Sequence, residues 1–305
     1  MNKPRRPPRR RVDGVLLLDK PVGASSNTAL QIARRLFNAE KAGHTGTLDP
    51  FATGLLPLCF GEATKYAAEL LDADKRYRAT LRFGIATDSG DCDGQVIAVR
   101  PPNVERSQLL LVIDRFVGEI EQVPPMYSAL KRDGKPLYEY ARAGIEVERA
   151  PRKVCIRTIE LLSFGDGFAE IDVACSKGTY VRTLAADIGE VLGCGAHLTA
   201  LRRLTIGGLD VAQAVSLEQV EQMGIDGRDR CLLATDTLLA ALPIVQLDAT
   251  ETARILHGQS LPWLGDAGAR YRLYGDGGGF LGTGELSADG WLSPRRLIAS
   301  SPTNP

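Results

Sequence analysis

Residues 75–84, KRYRATLRFG, alternate without a break. Tyr77, Ala79, Leu81 and Phe83 fall on one side, and Arg76, Arg78, Thr80 and Arg82 on the other. A period of two sends successive side chains to opposite faces, so the segment reads as a strand with one face in a core and one in water. Residues 153–164 and 168–175 flank the Gly165-Asp166-Gly167 turn and read as two paired strands. Residues 14–18 read as a short buried strand, and a further strand runs through Ile120 and Val123. Helical signals lie between them. Ser25 or Ser26 can cap a helix carrying Ala29, Leu30, Ala33, Leu36 and Phe37 at helical spacing. Other helices are expected over 62–71, 107–117 and 216–224, the last capped by Ser216, and Pro136 can open one that Gly144 ends.

The segment from Gly43 to Lys65 reads GHTGTLDPFATGLLPLCFGEATK. Asp49 is its only carboxylate before Glu62, and Pro50 follows it. A proline biases the preceding residue away from helical geometry, so Asp49 belongs on a shaped loop with its carboxylate fixed. Glu40 and Glu62, its nearest acids in sequence, are not obvious partners, so a local carboxylate pair is not expected. Taken alone, an Asp-Pro in a loop most often caps a turn by accepting from backbone N–H groups. The acidic stretch TDSGDCDG at 87–94 has the look of a calcium loop. Starting that loop at Ser89 puts Arg100 at the twelfth position, where a bidentate glutamate is required, so the calcium reading fails and a tight acidic turn remains.

A chain of 305 residues suits one large and one small domain. No apolar run approaches the ~20 residues a membrane span needs, and no hydrophobic signal core opens the chain, so a cytoplasmic protein is expected. The six cysteines form no C-x-x-C pair and the three histidines are widely spaced, so no metal site is expected. Net charge is zero but uneven: residues 1–12 hold Lys3, Arg5, Arg6, Arg9, Arg10 and Arg11 with no acid. Such an arm suits a phosphate-bearing partner or a solubilising disordered tail. Lys131, Arg132, Lys135 and Arg142, interleaved with Tyr138 and Tyr140, make residues 124–153 basic, as suits a surface that grips folded RNA or a solvated charged helix.

The string HTGTLDP-x-ATG-x-LP-x-x-x-GEATK, long and nearly gap-free, resembles the catalytic segment of the TruB-type pseudouridine synthases, which convert a uridine of the tRNA T-loop (position 55) to pseudouridine. The resemblance extends to DKP-x-G-x-(S/T)-S from Asp19, DKRY at 74–77, TD-x-x-D-x-x-G from Thr87, the PPMYSALK string at 124–131, SKGTYVRT from Ser176 and GAH-x-x-x-LRR at 195–203. It covers about residues 14–210 strongly and 247–298 weakly. It implies a mixed α+β fold, mainly an antiparallel sheet flanked by helices with the active site in a central cleft. Residues 13–242 would form the catalytic domain with 124–153 as an RNA-gripping insert. Residues 243–305 resemble a PUA domain, a small β-rich RNA-binding module, with a plain structural β-domain as the alternative. The 226–242 stretch has no counterpart and reads as a connector.

Residue by residue, the resemblance makes Asp49 the nucleophile, Arg182 its ion-pair partner, Tyr77 a ring stacked on the target base and Tyr180 an aromatic against the nucleotide. Leu201 would line the pocket and His44 would contact the RNA. Lys20 reads as a loop lysine able to meet a phosphate, and Lys131 and Arg142 as phosphate contacts. Tyr180 and Arg182 are two apart, which in extended geometry puts them on one face. Isomerising uridine changes no oxidation state, so no cofactor is expected. Asp49 can attack the ribose C1′ or the uracil C6, and the Tyr77 hydroxyl is one candidate for taking the C5 proton. The expected partner is tRNA, bound at the T-arm and in part through the acceptor stem by the C-terminal domain, by a monomer without guide RNA. The rivals are a non-enzymatic RNA-folding protein, a guide-dependent subunit and, distantly, a hydrolase.

Overall fold

The computed structural model describes residues 8–299. Its frame is a mixed, 11-stranded sheet. Across the sheet the main strands run Val215–Ser216, Gly14–Lys20, Thr53–Phe60, Ala196–Ile206, Lys75–Phe83, Phe168–Cys175, Arg152–Gly165 and Gly118–Gln122. Most neighbours are antiparallel, but Thr53–Phe60 meets Ala196–Ile206 in parallel through Thr53 and Gly54 opposite Arg202 and Arg203. The alternation at 75–83 is realised: Tyr77, Ala79, Leu81 and Phe83 are buried and Arg76, Arg78 and Arg82 are exposed. The pair across the Gly165–Gly167 turn also forms.

The core lies on the Tyr77 face. Helix Ser26–Leu36 brings Ala29, Leu30 and Ala33, and helix Val181–Val191 brings Leu184, Ala185 and Ile188, against Leu56, Leu58, Ala79 and Leu81. No such alternation marks Thr53–Phe60: all but its first residue are buried, because both faces are covered. On the opposite face Leu55 and Cys59 pack with Tyr66, Leu70, Leu238 and Leu239.

The C-terminal residues build a separate five-stranded sheet with its own core of Val245, Leu247, Ile255, Leu273 and Leu292. It docks on the GEATK turn. The Tyr66 hydroxyl donates to the Arg296 carbonyl (2.7 Å), Lys65 Nζ donates to the Leu297 carbonyl (2.9 Å), and Glu62 accepts from the Ala299 N–H (2.8 Å). Arg270 pairs with Glu69.

Several expectations need correction. Residues 62–71 form two short 3-10 turns, Gly61–Lys65 and Ala67–Leu70, rather than one helix, because they carry this domain contact. The 226–242 stretch is no mere connector: Ile225–Arg230 is helical, Leu232–Leu233 pairs with Gly14–Lys20, and Leu238 and Leu239 are buried. Of the basic arm, Lys3, Arg5 and Arg6 lie outside the described residues. Arg10 is anchored, donating to the Phe37 carbonyl and pairing with Asp229, and Val12 is buried.

Gly54 shows how tight the parallel seam is. Its φ is +98°, and a Cβ there would sit 2.3 Å from the Arg203 carbonyl oxygen and 2.8 Å from its nitrogen. Left-handed strain alone costs about 1–3 kcal/mol in a residue with a side chain. Gly54→Ala is therefore expected to destabilise the protein by about 3 kcal/mol or more in urea unfolding. A loss below about 1 kcal/mol would show that the seam can open without cost.

Candidate active site

The Asp49 loop leaves strand Ala42–His44 and enters Thr53–Phe60 at the sheet's parallel seam. The first motif clamps it on one side. Ser26 Oγ accepts from the Leu48 N–H (2.8 Å) and donates to the Leu48 carbonyl (3.0 Å). The Gly23 N–H donates to the Pro50 carbonyl (2.8 Å). Lys20, expected as a loop lysine, is instead fully buried at the end of strand Gly14–Lys20. Its Nζ donates to the carbonyls of Pro21 (2.8 Å), Ala24 (2.6 Å) and Pro50 (3.3 Å). All three ammonium protons are thus used, and a phosphate contact is not available to it. Burial pulls Lys20 down to about 8, against the opposing pull of Asp49.

On the other side stands Arg182. Its side chain is 4% exposed, and Nε pairs with Asp49 Oδ2 at 3.1 Å. Nη1 pairs with Asp91 Oδ2 at 3.1 Å and donates to the Ser89 carbonyl (3.1 Å), while Nη2 donates to the Tyr127 carbonyl (2.6 Å). A guanidinium carries donors in a planar fork, and here that fork joins the Asp49 loop, the acidic turn and the start of the insert. Asp91 is fixed in turn: Oδ1 accepts from Ser89 Oγ (2.6 Å) and from the Asp93 N–H (3.1 Å). The Leu198 N–H donates to the Gly90 carbonyl (3.0 Å), which docks the turn on the Ala196–Ile206 strand.

Asp49 is walled by protein yet partly open to solvent, with its side chain 35% exposed. Loss of water raises its carboxyl above the ordinary aspartate value. Arg182 opposes the shift and Asp91 adds to it.

Tyr77, on Lys75–Phe83, sits directly across from Arg203, and Ala79 from Leu201. All four point to the buried face, so Tyr77 and Leu201 line one wall. Burial pushes the Tyr77 hydroxyl up, which keeps it neutral at pH 7. His44 ends strand Ala42–His44, and its Nδ1 is buried without a partner. Burial lowers its pKa, so the imidazole is neutral and one ring nitrogen is free to accept or donate.

Tyr180 and Arg182 are not on a strand. Tyr180 caps helix Val181–Val191 and Arg182 lies in its first turn, so they diverge rather than share an extended face. Gln122, on the edge strand, holds the Tyr180 backbone by its N–H (3.0 Å) and carbonyl (3.3 Å). Lys131 and Arg142 stand apart from this cluster on the insert. There Arg142 lies over the Tyr138 ring (5.4 Å) and Lys135 over Tyr140 (5.5 Å).

Sequence reading misses Asp91 and Arg203. The TD-x-x-D-x-x-G string is the signal for Asp91, and excluding calcium leaves that aspartate without a role. For Arg203 the signal is its shared parity with Leu201, which points the arginine inward. Among the described residues, no group of three or more His, Cys, Asp or Glu side chains is placed to hold a metal ion.

Residues 34–181 match the family model of the TruB pseudouridylate synthase N-terminal domain. Residues 182–240 match that of the tRNA pseudouridylate synthase B C-terminal domain, and 243–298 that of the TruB pseudouridine synthase II C-terminal domain. A tRNA pseudouridine synthase B of Azoarcus sp. (strain BH72) is 58% identical over 97% of this chain and 98% of its own. That of Chromobacterium violaceum is 55% identical over 98% of this chain and 99% of its own. Among solved structures, an H/ACA RNP bound to a substrate RNA containing 2′-deoxyuridine superposes with a TM-score of 0.71 at 22% identity, covering 94% of this chain and 85% of that one. A Cbf5-Nop10-Gar1 complex gives a TM-score of 0.70 at 24% identity, covering 94% and 84%. The fold is that of the pseudouridine synthases with a β-rich, PUA-like C-terminal domain, and the chain belongs to the TruB family of pseudouridylate synthases.

Proposed function

We propose that the chain isomerises uridine to pseudouridine at position 55 of the tRNA T-loop, acting in the cytoplasm as a monomer without guide RNA. The observation that carries the chemistry is the ion pair between Asp49 and the buried Arg182 at the mouth of the cleft. A carboxylate held by a buried guanidinium has one fixed orientation and remains charged where water is scarce.

The target nucleotide must leave the RNA stack to reach Asp49, at a cost of a few kcal/mol. Tyr77 offers a ring face to the base, a contact worth about 1–3 kcal/mol. His44, neutral with a free ring nitrogen, holds the displaced nucleotide, and Tyr180 and Leu201 close the pocket. Asp49 attacks either C1′ of the ribose or C6 of the base. By either route the N1–C1′ bond breaks with its electron pair going to N1, the base turns so that C5 bonds to C1′, and the Asp49 bond to C1′ or C6 breaks with its pair returning to the carboxylate. The C5–H bond then breaks, and its pair restores the C5–C6 double bond. Tyr77 Oη accepts that proton while its own passes to solvent, and N1 takes a proton up. Keeping the pocket dry prevents water from capturing C1′.

The insert grips the T-arm through Lys131 and Arg142, near enough to the pocket that its Tyr127 carbonyl touches Arg182. The C-terminal domain reaches toward the acceptor stem. Its phosphate affinity is modest, because Arg270, Arg272 and Arg295 each pair with a carboxylate of the chain and Arg254 and Arg296 bond backbone carbonyls.

Tritium release from T-loop tRNA labelled at uridine C5 tests the reading. Wild type is expected to release the label, and a folded, tRNA-binding Asp49→Asn variant to release none. Binding without release by wild type would return the non-enzymatic reading. Tyr77→Phe retains the stacking ring, so tRNA affinity is expected to hold while single-turnover release falls about 100-fold or more; release at the wild-type rate would remove the hydroxyl from proton transfer. Activity should also decline on acidification through the raised Asp49 pKa, above the usual carboxylate range. Asp91→Asn removes the anion that opposes Asp49 ionisation, so the acid limb of the single-turnover rate should move to lower pH. An unmoved limb would show that Asp91 acts only by placing Arg182.

A further inference from the structure

Arg203 is 1% exposed and, among the described residues, has no carboxylate within ion-pair distance. A guanidinium buried without a counter-ion is costly, and such a group persists where its geometry is needed. Its donors go to the stems of the Asp49 loop. Nη2 donates to the Gly46 carbonyl (3.1 Å), on the chain entering the loop, and Nε donates to the Leu55 carbonyl (2.8 Å), on the chain leaving it. Its Cα is the direct cross-strand partner of Tyr77, and both side chains are buried on that face of the sheet. Gly46, at φ +72°, turns the chain around the guanidinium, with Nη1 only 3.6 Å from where its Cβ would be.

We infer that Arg203 is a positioning residue for the isomerisation: one buried guanidinium ties both stems of the nucleophile loop to the strand that carries Tyr77, and so sets the separation of the Asp49 carboxylate and the Tyr77 hydroxyl. The inference rests on the roles proposed for those two residues. It explains why a cation lies here without an anion. A carboxylate partner would compete with the Gly46 and Leu55 carbonyls and place a third negative charge near Asp49 and Asp91. It also accounts for electrostatics around the site, where the Arg203 charge helps to lower both Lys20 and His44 and favours the anionic form of Tyr77 against burial.

The test compares Arg203→Met, which keeps an unbranched apolar stem, with Arg203→Lys, which keeps the charge but cannot span the Gly46 and Leu55 carbonyls with a planar fork. Rates of tritium release are measured in single turnover and divided by the fraction of molecules that bind tRNA. A second substrate carries 5-fluorouridine at the target: fluorine replaces the C5 hydrogen, so N1–C1′ cleavage proceeds and proton removal cannot. The expected result is a loss of release of about 100-fold per binding-competent molecule for Met, the cost of a misplacement near 1 Å, with tRNA affinity changed by less than about threefold. Arg203→Lys should fall between Met and wild type. Cleavage of the fluorinated substrate should fall less than release, because it needs Asp49 but not the Tyr77 hydroxyl. A structural role alone would lower the binding-competent fraction and leave the rate per competent molecule at the wild-type value, which would overturn the inference. If Met does not fold, Lys decides by the same criterion, and a Lys variant that also fails to fold overturns a specifically positioning role. Wild-type release by Tyr77→Phe, by contrast, would discard the Tyr77 reading and not the loop ties.

Discussion

The site depends on a cation that water cannot reach. Arg182 is held by two carboxylates and two backbone carbonyls from three separate stretches of chain. None of those stretches is a regular element at the point of contact. Loops ordinarily wander, because their backbone groups are satisfied by solvent. Here a shared guanidinium replaces the solvent, so the loop bearing Asp49, the acidic turn at 87–94 and the root of the insert share one rigid junction. The helix start at Val181 gives that junction a firm base, since Leu184, Ala185 and Ile188 anchor the same helix in the core.

The junction also resolves an electrostatic conflict. Scarcity of water at Asp49 favours its protonated form, while the ion pair with Arg182 favours the charged one. Asp91 worsens the conflict, being a second anion nearby, and still it is present. Its charge leaves Arg182 with two partners, and a guanidinium so divided neutralises each carboxylate only in part. Asp49 therefore stays paired while sharing its guanidinium with a second carboxylate. The insert is joined to the same junction through the Tyr127 carbonyl.

Much of the fold was legible because it obeys simple periods. Arg76 to Phe83 alternates, and it is a strand in the middle of the sheet. The helix from Ser26 carries its apolar residues at helical spacing, and it lies on the core. Where reading failed, tertiary contact had overridden the local signal. The GEATK turn looks helical by propensity but must present Glu62, Lys65 and Tyr66 to the C-terminal sheet. Tyr180 and Arg182 look like neighbours on a strand because a motif does not reveal that a helix begins between them. Lys20 looks exposed because lysine usually is, and only three converging carbonyls make its burial tolerable. Asp49 and Arg182 were accessible through resemblance, whereas Asp91 and Arg203 required coordinates, since each matters through a partner far away in sequence.

The two buried arginines divide the work. Arg182 meets two carboxylates, while Arg203 meets two backbone carbonyls of the same loop's stems. Both bond the same loop, Arg182 at Asp49 itself and Arg203 at its stems, beside the parallel seam where Gly54 lets the backbones touch. That division has a physical logic. A single arginine bonded both to the nucleophile and to the loop stems would shift its position whenever the nucleophile changed charge, carrying the loop with it. With the two sets of bonds on separate guanidiniums, a change of charge on Asp49 falls on a partner of Arg182 and not on a partner of Arg203. If Asp49 acts as proposed, that separation holds its loop stems in place while its carboxylate changes charge.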